Sequence, residues 1–270
     1  MNALTLDHVG YVGRDLAPLR AAMQRLGFAP TEPQPLLAVD PATGRDVPLD
    51  QHSCHVVLER GYLELSAVLT RDPAHHLAPW LARGTGLHIL ALGSDDPAAL
   101  RDRCLRNGLP CSAVAAATRR IEYGQRQGIA RFQWFMLQPS ATPAGLICFV
   151  RNETPQLVYQ PEVSRHPNGA VALEEIYLVS PDVQRFSAQH AVWLGRAPTR
   201  VDEWLRFELG AGSVSVAAGA TPRLAGLAVR VRDRVAVLQW LRSQHVPFDA
   251  RADGIVVPAS AATGAFLRFR

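Results

Sequence analysis

The sequence predicts an α+β fold of four βαβββ-like units forming two halves. Three observations lead there. A strand–cap–helix pattern recurs four times, strand-like runs follow each helix, and a proline-rich stretch separates the second unit from the third. Repetition of this kind is the most direct sequence signal of a fold assembled from copies of one supersecondary unit.

The first unit opens with "LDHVGYVGRD" from Leu6, an apolar run with His8 inside it and Asp15 seven residues further on. The second opens with "LHILALGSDD" from Leu87, where His88 and Asp95 repeat that spacing. Helical patterns follow, "LAPLRAAMQRLGF" and "PAALRDRCLRNGLP". An aspartate before a helical run accepts from the free N–H groups of its first turn, so Asp15 and Asp95 are predicted N-caps. Gly27 and Gly108 stand where a helix ends on a left-handed residue. Units three and four start at Leu173 and Leu224, with Asp182 and Asp233 as caps. Seven residues before the four caps stand His8, His88, Glu175 and Gly226.

Strand-like runs close each unit. They are "PQPLLAVD", "SCHVVLER" and "YLELSAV" in the first, and "RRIEYG", "RFQWFML" and "LICFV" in the second. The third has "RVDEWLRFEL" and "SVSVAAG", the fourth "FDARADGIVV" and "GAFLRFR". The stretch "TPQLVYQPEVSRHPNG" reads as a boundary. It divides an N-terminal domain over 1–158 from a C-terminal pair of units over 170–270. One unit leaves a face of its small sheet bare, so units must pair.

Composition narrows the function. Apolar residues make up 48% of the chain and charged residues 19%, which is globular. No apolar run reaches the roughly 18 residues of a membrane span, and no secretory signal is visible at the N-terminus. A cytoplasmic location follows by default. The four cysteines, Cys54, Cys104, Cys111 and Cys148, form no C-x-x-C and are too few for a disulfide framework. Every cation behind the net charge of +4 is arginine, because the chain has no lysine. That excludes Schiff-base catalysis and a P-loop lysine. The arginines are scattered except in "TRRIEYGQRQGIARF", without the clustering nucleic-acid binding needs. No G-x-S-x-G or G-x-G-x-x-G occurs to signal a serine hydrolase or a dinucleotide fold. The expected partner is a small-molecule substrate, not nucleic acid or membrane; a homodimer is compatible with this reading.

Two histidines at matching places in paired repeats converge across a pseudo-twofold. A third metal ligand would be Glu64 in "GYLELSAV", where alternation puts Tyr62, Glu64 and Ser66 on one face. A carboxylate in mid-strand is costly to bury unless it is paired or binds a cation. Two imidazoles and a carboxylate, His8, His88 and Glu64, suit Fe(II), Mn(II) or Zn(II). The alternative is a solvated Glu64 and a hydrogen-bonded core His88. In "QHSCHVVLER", His55 is the candidate general base, and His52 an exposed strand-start residue. Arg131 and Gln133 share a face of "RFQWFML" and are candidate substrate-binding groups; Arg131 could equally pair with Glu122. His75 and His76 read as surface or lid residues, His190 and His245 as surface residues of helices.

With "LDHVGYVGRDL" opening the first unit and "HVVLERGYLELSAV" closing it, the chain resembles the glyoxalase-like branch of the vicinal-oxygen-chelate superfamily. That group includes glyoxalases, extradiol dioxygenases, epimerases and antibiotic-resistance proteins. The resemblance implies pairs of units curled into mixed sheets around a divalent metal. It places His8 and His88 at first-strand ligand positions and Glu64 at the closing-strand position of unit one. The fourth ligand would fall in "GLICFVRN", where no carboxylate stands; Cys148 is the only good donor there, and Asn152 takes the place of a histidine seen after this strand in some relatives. The four-unit length resembles extradiol dioxygenases, whose metal lies in the C-terminal pair. Here that pair offers Glu175 and Gly226, with Phe266 or Arg268 at the closing positions, and is expected to hold no metal and to act by packing. The implied activity is metal-dependent isomerase, lyase or ring-cleaving dioxygenase chemistry on a molecule that chelates through vicinal oxygens. The rival is a metal-free protein that binds or sequesters a small ligand in the same cup.

Overall fold

A computed structural model describes residues 4–40 and 42–270. The first two units give β1 (Thr5–Gly13), α1 (Leu16–Arg25), β2 (Gln34–Val39), β3 (Asp46–Val57), β4 (Tyr62–Val68), the short α2 (Ala78–Leu81), β5 (Gly86–Gly93), α3 (Pro97–Arg106), β6 (Ala115–Ile121), β7 (Gly128–Met136) and β8 (Leu146–Asn152). After a one-turn α4 (Pro155–Val158) come β9 (Ala170–Ser180), α5 (Val183–Leu194), β10 (Thr199–Val201), β11 (Trp204–Glu208), β12 (Ser213–Ala218), β13 (Arg223–Val231), α6 (Arg234–Ser243), β14 (Asp249–Arg251), β15 (Gly254–Val257) and β16 (Phe266–Phe269). The α+β class and the βαβββ order are those the repeats predict.

Each half forms one eight-stranded mixed sheet. The first closes on itself as a barrel in the order β1-β4-β3-β2-β6-β7-β8-β5, and the second stays open as β10-β11-β12-β9-β13-β16-β15-β14. In every unit the opening strand runs parallel to the closing strand, and the two opening strands of a half pair antiparallel. That exchange of strands between units satisfies the edge each unit would otherwise expose.

Three caps stand as read: Asp15, Asp182 and Asp233 each accept from a first-turn backbone N–H. The fourth does not. Asp96, not Asp95, caps α3, accepting from Ala99 N–H at 3.0 Å with Pro97 as the first helical residue.

The strands bury both faces. One apolar cluster fills the barrel around Val12, Ile89, Ile121, Phe132, Leu146 and Val150. A larger one lies outside it and runs through both halves, including Met23, Phe135, Phe149, Trp193, Phe207 and Phe269. Phe28 of the first half stacks on Phe269 of the second, and Phe149 meets Trp193 edge-on. Backbone hydrogen bonds also cross: Leu6 N–H donates to Ala211 at 2.8 Å, and Leu173 N–H to Arg60 at 2.9 Å. In the connecting stretch His166 is buried. Its Nδ1 accepts from Ala29 N–H and its Nε2 donates to Val57 O, so the connection is docked onto the first half.

His245 is exposed in the turn after α6, but His190 is not a surface residue. It is 1% exposed, between Phe186 and Trp193, with Nδ1 donating to Phe186 O at 2.7 Å and Nε2 without a partner. A proton on Nε2 would sit in the core with no acceptor. Burial accordingly pushes the His190 pKa down to about 4, from 6.5. Below pH 6.5 the unfolded chain takes up a proton there that the folded chain refuses. Stability is therefore complete above that pH and falls as pH drops toward 4. This one group is expected to cost about 2 kcal/mol between neutrality and pH ~5. Urea titrations at the two pH values check it, and His190→Leu should remove that part of the difference.

Candidate active site inside the first barrel

Strand alternation points one set of side chains inward: His8 from β1, Gln51 and His55 from β3, Tyr62 and Glu64 from β4, Ile89 from β5, Arg119 from β6, Phe132 and Trp134 from β7, and Cys148 from β8. They line a cavity of about 100 Å³. One boundary is formed by the segment before α2, whose His76 lies near the Trp134 ring at 5.8 Å. Leu77, Trp80 and Val158 join the same interior cluster, so α2 and the inter-half connection help to close the barrel.

His8 and Glu64 are brought together. Parallel pairing of β1 and β4 puts Tyr62 beside His8 and Glu64 beside Gly10. His8 stacks on the Tyr62 ring, 4.3 Å between centroids and 14° from parallel. Its Nδ1–H donates to Asp7 Oδ1 at 2.7 Å, which fixes the tautomer and turns the Nε2 lone pair toward Glu64 Oε2, 3.5 Å away. The other carboxylate oxygen, Oε1, accepts from Gln51 Nε2 and Ser66 Oγ. Gly10 matters for a packing reason: a Cβ there would lie 2.7 Å from the Ile89 side chain.

His88 is not part of this pair, contrary to the expected ligand set. The β1–β5 register sets His8 opposite Ala91 and Gly10 opposite Ile89. The twofold exchange of units therefore maps His8 onto Ile89. His88 points to the other face, where its Nε2–H donates to Gly84 O at 2.8 Å. A one-residue offset reverses every side chain of a strand. By the same exchange Glu64 maps onto Cys148, because Ile89 pairs with Leu146 and Ala91 with Cys148. Burial, then the nearby Glu64 and Asp7, push the Cys148 thiol far above its ordinary range.

Ligand bonds of about 2.0–2.2 Å place two ligands of one ion roughly 3–4 Å apart. The His8–Glu64 separation meets that. No third His, Cys, Asp or Glu joins them: among the described residues no group of three could hold a metal ion. Two donors fall short of the three protein ligands of an open catalytic site. The residues present do not fit the three-ligand centre.

His55 lies inside as expected, 3% exposed, edge-on to Tyr62. Its Nε2 contacts Arg119 Nη1. Burial first, then the charges of Arg119 and His8, hold its pKa well below 6.5, so the imidazole is neutral at physiological pH. His52 is exposed. Arg131 and Gln133 are on the wrong face for substrate binding. Ala130, Phe132 and Trp134 point inward; Arg131 is exposed, and Gln133 donates to Glu153 at 2.7 Å. Glu122 accepts from Gln34, not from Arg131. The cavity's cation is Arg119, which sequence reasoning missed. The alternation Ala117, Arg119, Ile121 was its signal, since two apolar residues flank it on one face.

A family model described as a glyoxalase-like domain matches residues 6–194. No curated protein matches the sequence. Among solved structures, a hypothetical protein from Staphylococcus aureus superposes with TM-score 0.66 at 10% identity, covering 99% of each chain. A Mn(II)-bound glyoxalase from Novosphingobium aromaticivorans gives 0.60 at 12% identity, over 100% of this chain and 82% of that one. An extradiol ring-cleaving dioxygenase from B. fuscum gives 0.58 at 15% identity, over 99% and 71%. At these identities the likeness is one of fold.

Proposed function

Because the chain belongs to the glyoxalase-like domain family, we propose that the first barrel is the active site of an enzyme that moves a proton on a small oxygenated organic molecule, with His8 as the base. The observation that carries this reading is the His8 arrangement: one ring nitrogen is held by Asp7 and the other opens toward Glu64 inside an enclosed cavity. Structural likeness to a glyoxalase and a dioxygenase supports an enzyme over a passive binder.

The chemistry follows from the residues. A C–H bond next to a carbonyl loses its proton to His8 Nε2. The imidazolium that forms keeps its Nδ1–H on Asp7 and gains a second carboxylate neighbour in Glu64, so positive charge develops between two anions. Glu64 cannot swing away, because Gln51 and Ser66 hold its other oxygen. Return of the proton to a neighbouring atom gives isomerase chemistry; loss of a leaving group gives lyase chemistry. No step is routed through a metal, since the donor set stops at two.

The test is solvent exchange. Protein treated exhaustively with chelator is mixed in D2O with phenylpyruvate and with acetylacetone, and exchange of the acidic C–H is followed by NMR. Exchange above the uncatalysed rate, unchanged by chelation, is expected. Exchange that vanishes on chelation and returns with Mn(II) would overturn the metal-free mechanism, and binding without exchange would favour the sequestering protein.

A further inference from the structure

Resting on that reading, we propose that Arg119 is the anion-binding group of this cavity and that the natural ligand carries a carboxylate on an apolar body. Three features of Arg119 point there. It is 3% exposed and lines the cavity. Its Nε and Nη2 are buried with no hydrogen-bond partner, while Nη1 contacts His55. Among the described residues no carboxylate forms an ion pair with it; the cavity's carboxylate, Glu64, is held by Gln51 and Ser66.

Each feature restricts the ligand. Arginine does not lose its proton in proteins, so the charge cannot be relieved by titration. A buried, unpaired cation is costly, and its neighbours repay only part of that. The rings of Tyr62 and Phe132 lie 5.6 and 5.5 Å from the guanidinium carbon and offer their π-faces. The Tyr123 hydroxyl donates to Val158 O and lies beside the guanidinium as a neutral acceptor, without supplying a counter-charge. The neutral His55 supplies no counter-charge. The two free donors also have a shape. Nε–H and Nη2–H are the parallel pair on the side edge of a guanidinium, which matches the two oxygens of a carboxylate. The rest of the lining, Phe132, Trp134, Leu36, Leu146 and Val150, suits an apolar body.

Calorimetric titration at low ionic strength tests this with benzoate, phenylacetate and phenylpyruvate, each beside a neutral isostere: benzamide, phenylacetamide and phenylacetone. At least one carboxylate is expected to bind about 100-fold tighter than its isostere, the scale of two charge-assisted hydrogen bonds. Arg119→Gln should abolish that preference, and Arg119→Lys should keep part of it, as a point charge without the fork. If Arg119→Gln fails to fold, the wild-type comparison and Arg119→Lys still decide. No preference in any pair, a preference that survives Arg119→Gln, or inorganic phosphate outcompeting every carboxylate would each overturn the proposal. His8→Ala separates the two readings. It should retain carboxylate preference while losing exchange, so failure of the proton-transfer reading leaves the anion site standing, and the reverse holds as well.

Discussion

His8→Ala is expected to lower catalysed proton exchange by about 10²–10⁴-fold with the fold intact. The imidazole is the group whose free nitrogen faces the cavity, and its removal takes away the proton acceptor. Loss of its stacking on Tyr62 leaves a small void at the wall, without breaking a core element. Glu64→Gln should show a smaller loss. The amide keeps the size of the side chain but no longer offsets charge on His8 as the imidazolium forms. The pair of variants distinguishes this mechanism from a metal centre. Metal content measured on wild type, Glu64→Ala and Glu64→Gln prepared identically should be negligible in all three. A stoichiometric ion in wild type that is lost in Glu64→Ala would return Glu64 to the role of ligand and require a third donor that the cavity residues do not supply.

The fold was readable because its signal is repetition, and repetition survives when individual residues change. Three caps, four opening strands and their parallel closing partners fall where the patterns put them. The site was less readable, for a reason of phase. In "GSDDPAAL" two aspartates compete for the cap. Pro97 decides for Asp96, since proline favours the first helical position and the cap precedes it. Seven residues before Asp96 stands Ile89, not His88, so one residue of offset turned a carbon into an apparent ligand. Arg131 and Gln133 failed in the same way. Strand β7 is buried on both faces, Phe132 inside the barrel and Phe135 against the outer core, so alternation exists but hydrophobicity does not mark its phase. Glu64 and His55 do face the barrel interior, because each is a polar residue in a strand whose inward phase is set by more than one polar neighbour; the ligand and base roles expected of them do not follow from that placement. Arg119 was obscured by Arg120 beside it: of two consecutive arginines, one is exposed and the other buried.

Glu175→Ala is expected to destabilise the protein by about 2–3 kcal/mol, less than the cost of breaking a fully buried ion pair because the Arg270 and Arg206 side chains reach solvent. Glu175 stands at the His8 position of the third unit and is 2% exposed. Its carboxylate accepts from Arg270 Nη1 at 2.7 Å, from the Tyr177 hydroxyl at 2.8 Å and from Ser215 Oγ, and lies 3.8 Å from Arg206 Nε. Ser215 is at the place Glu64 holds in the first unit, given the pairing of β12 with β9. The fourth unit adds Gly226, whose missing side chain is filled by the Phe266 ring: a Cβ there would come within 2.5 Å of it. At its two opening-strand positions the second sheet thus carries a carboxylate paired with arginine and a glycine packed by an aromatic ring, with Ser215 and Arg268 at the closing-strand positions. Alanine at position 175 would strip Arg270 of its carboxylate, leaving it the Tyr177 hydroxyl, with Arg206 left only Glu208. Arg270 directly follows β16, so the damage should spread to that strand and, through Phe269, to the contact with Phe28. Glu175→Gln, which keeps the hydrogen bonds but not the charge, should cost less. Denaturant titration gives the stability difference, and carboxylate binding by the folded fraction checks its locality. Retained affinity in the first barrel is expected, because no residue of that cavity touches Glu175. Full stability of Glu175→Ala would show that the arginines are satisfied by water and that the carboxylate contributes nothing to holding the second sheet together.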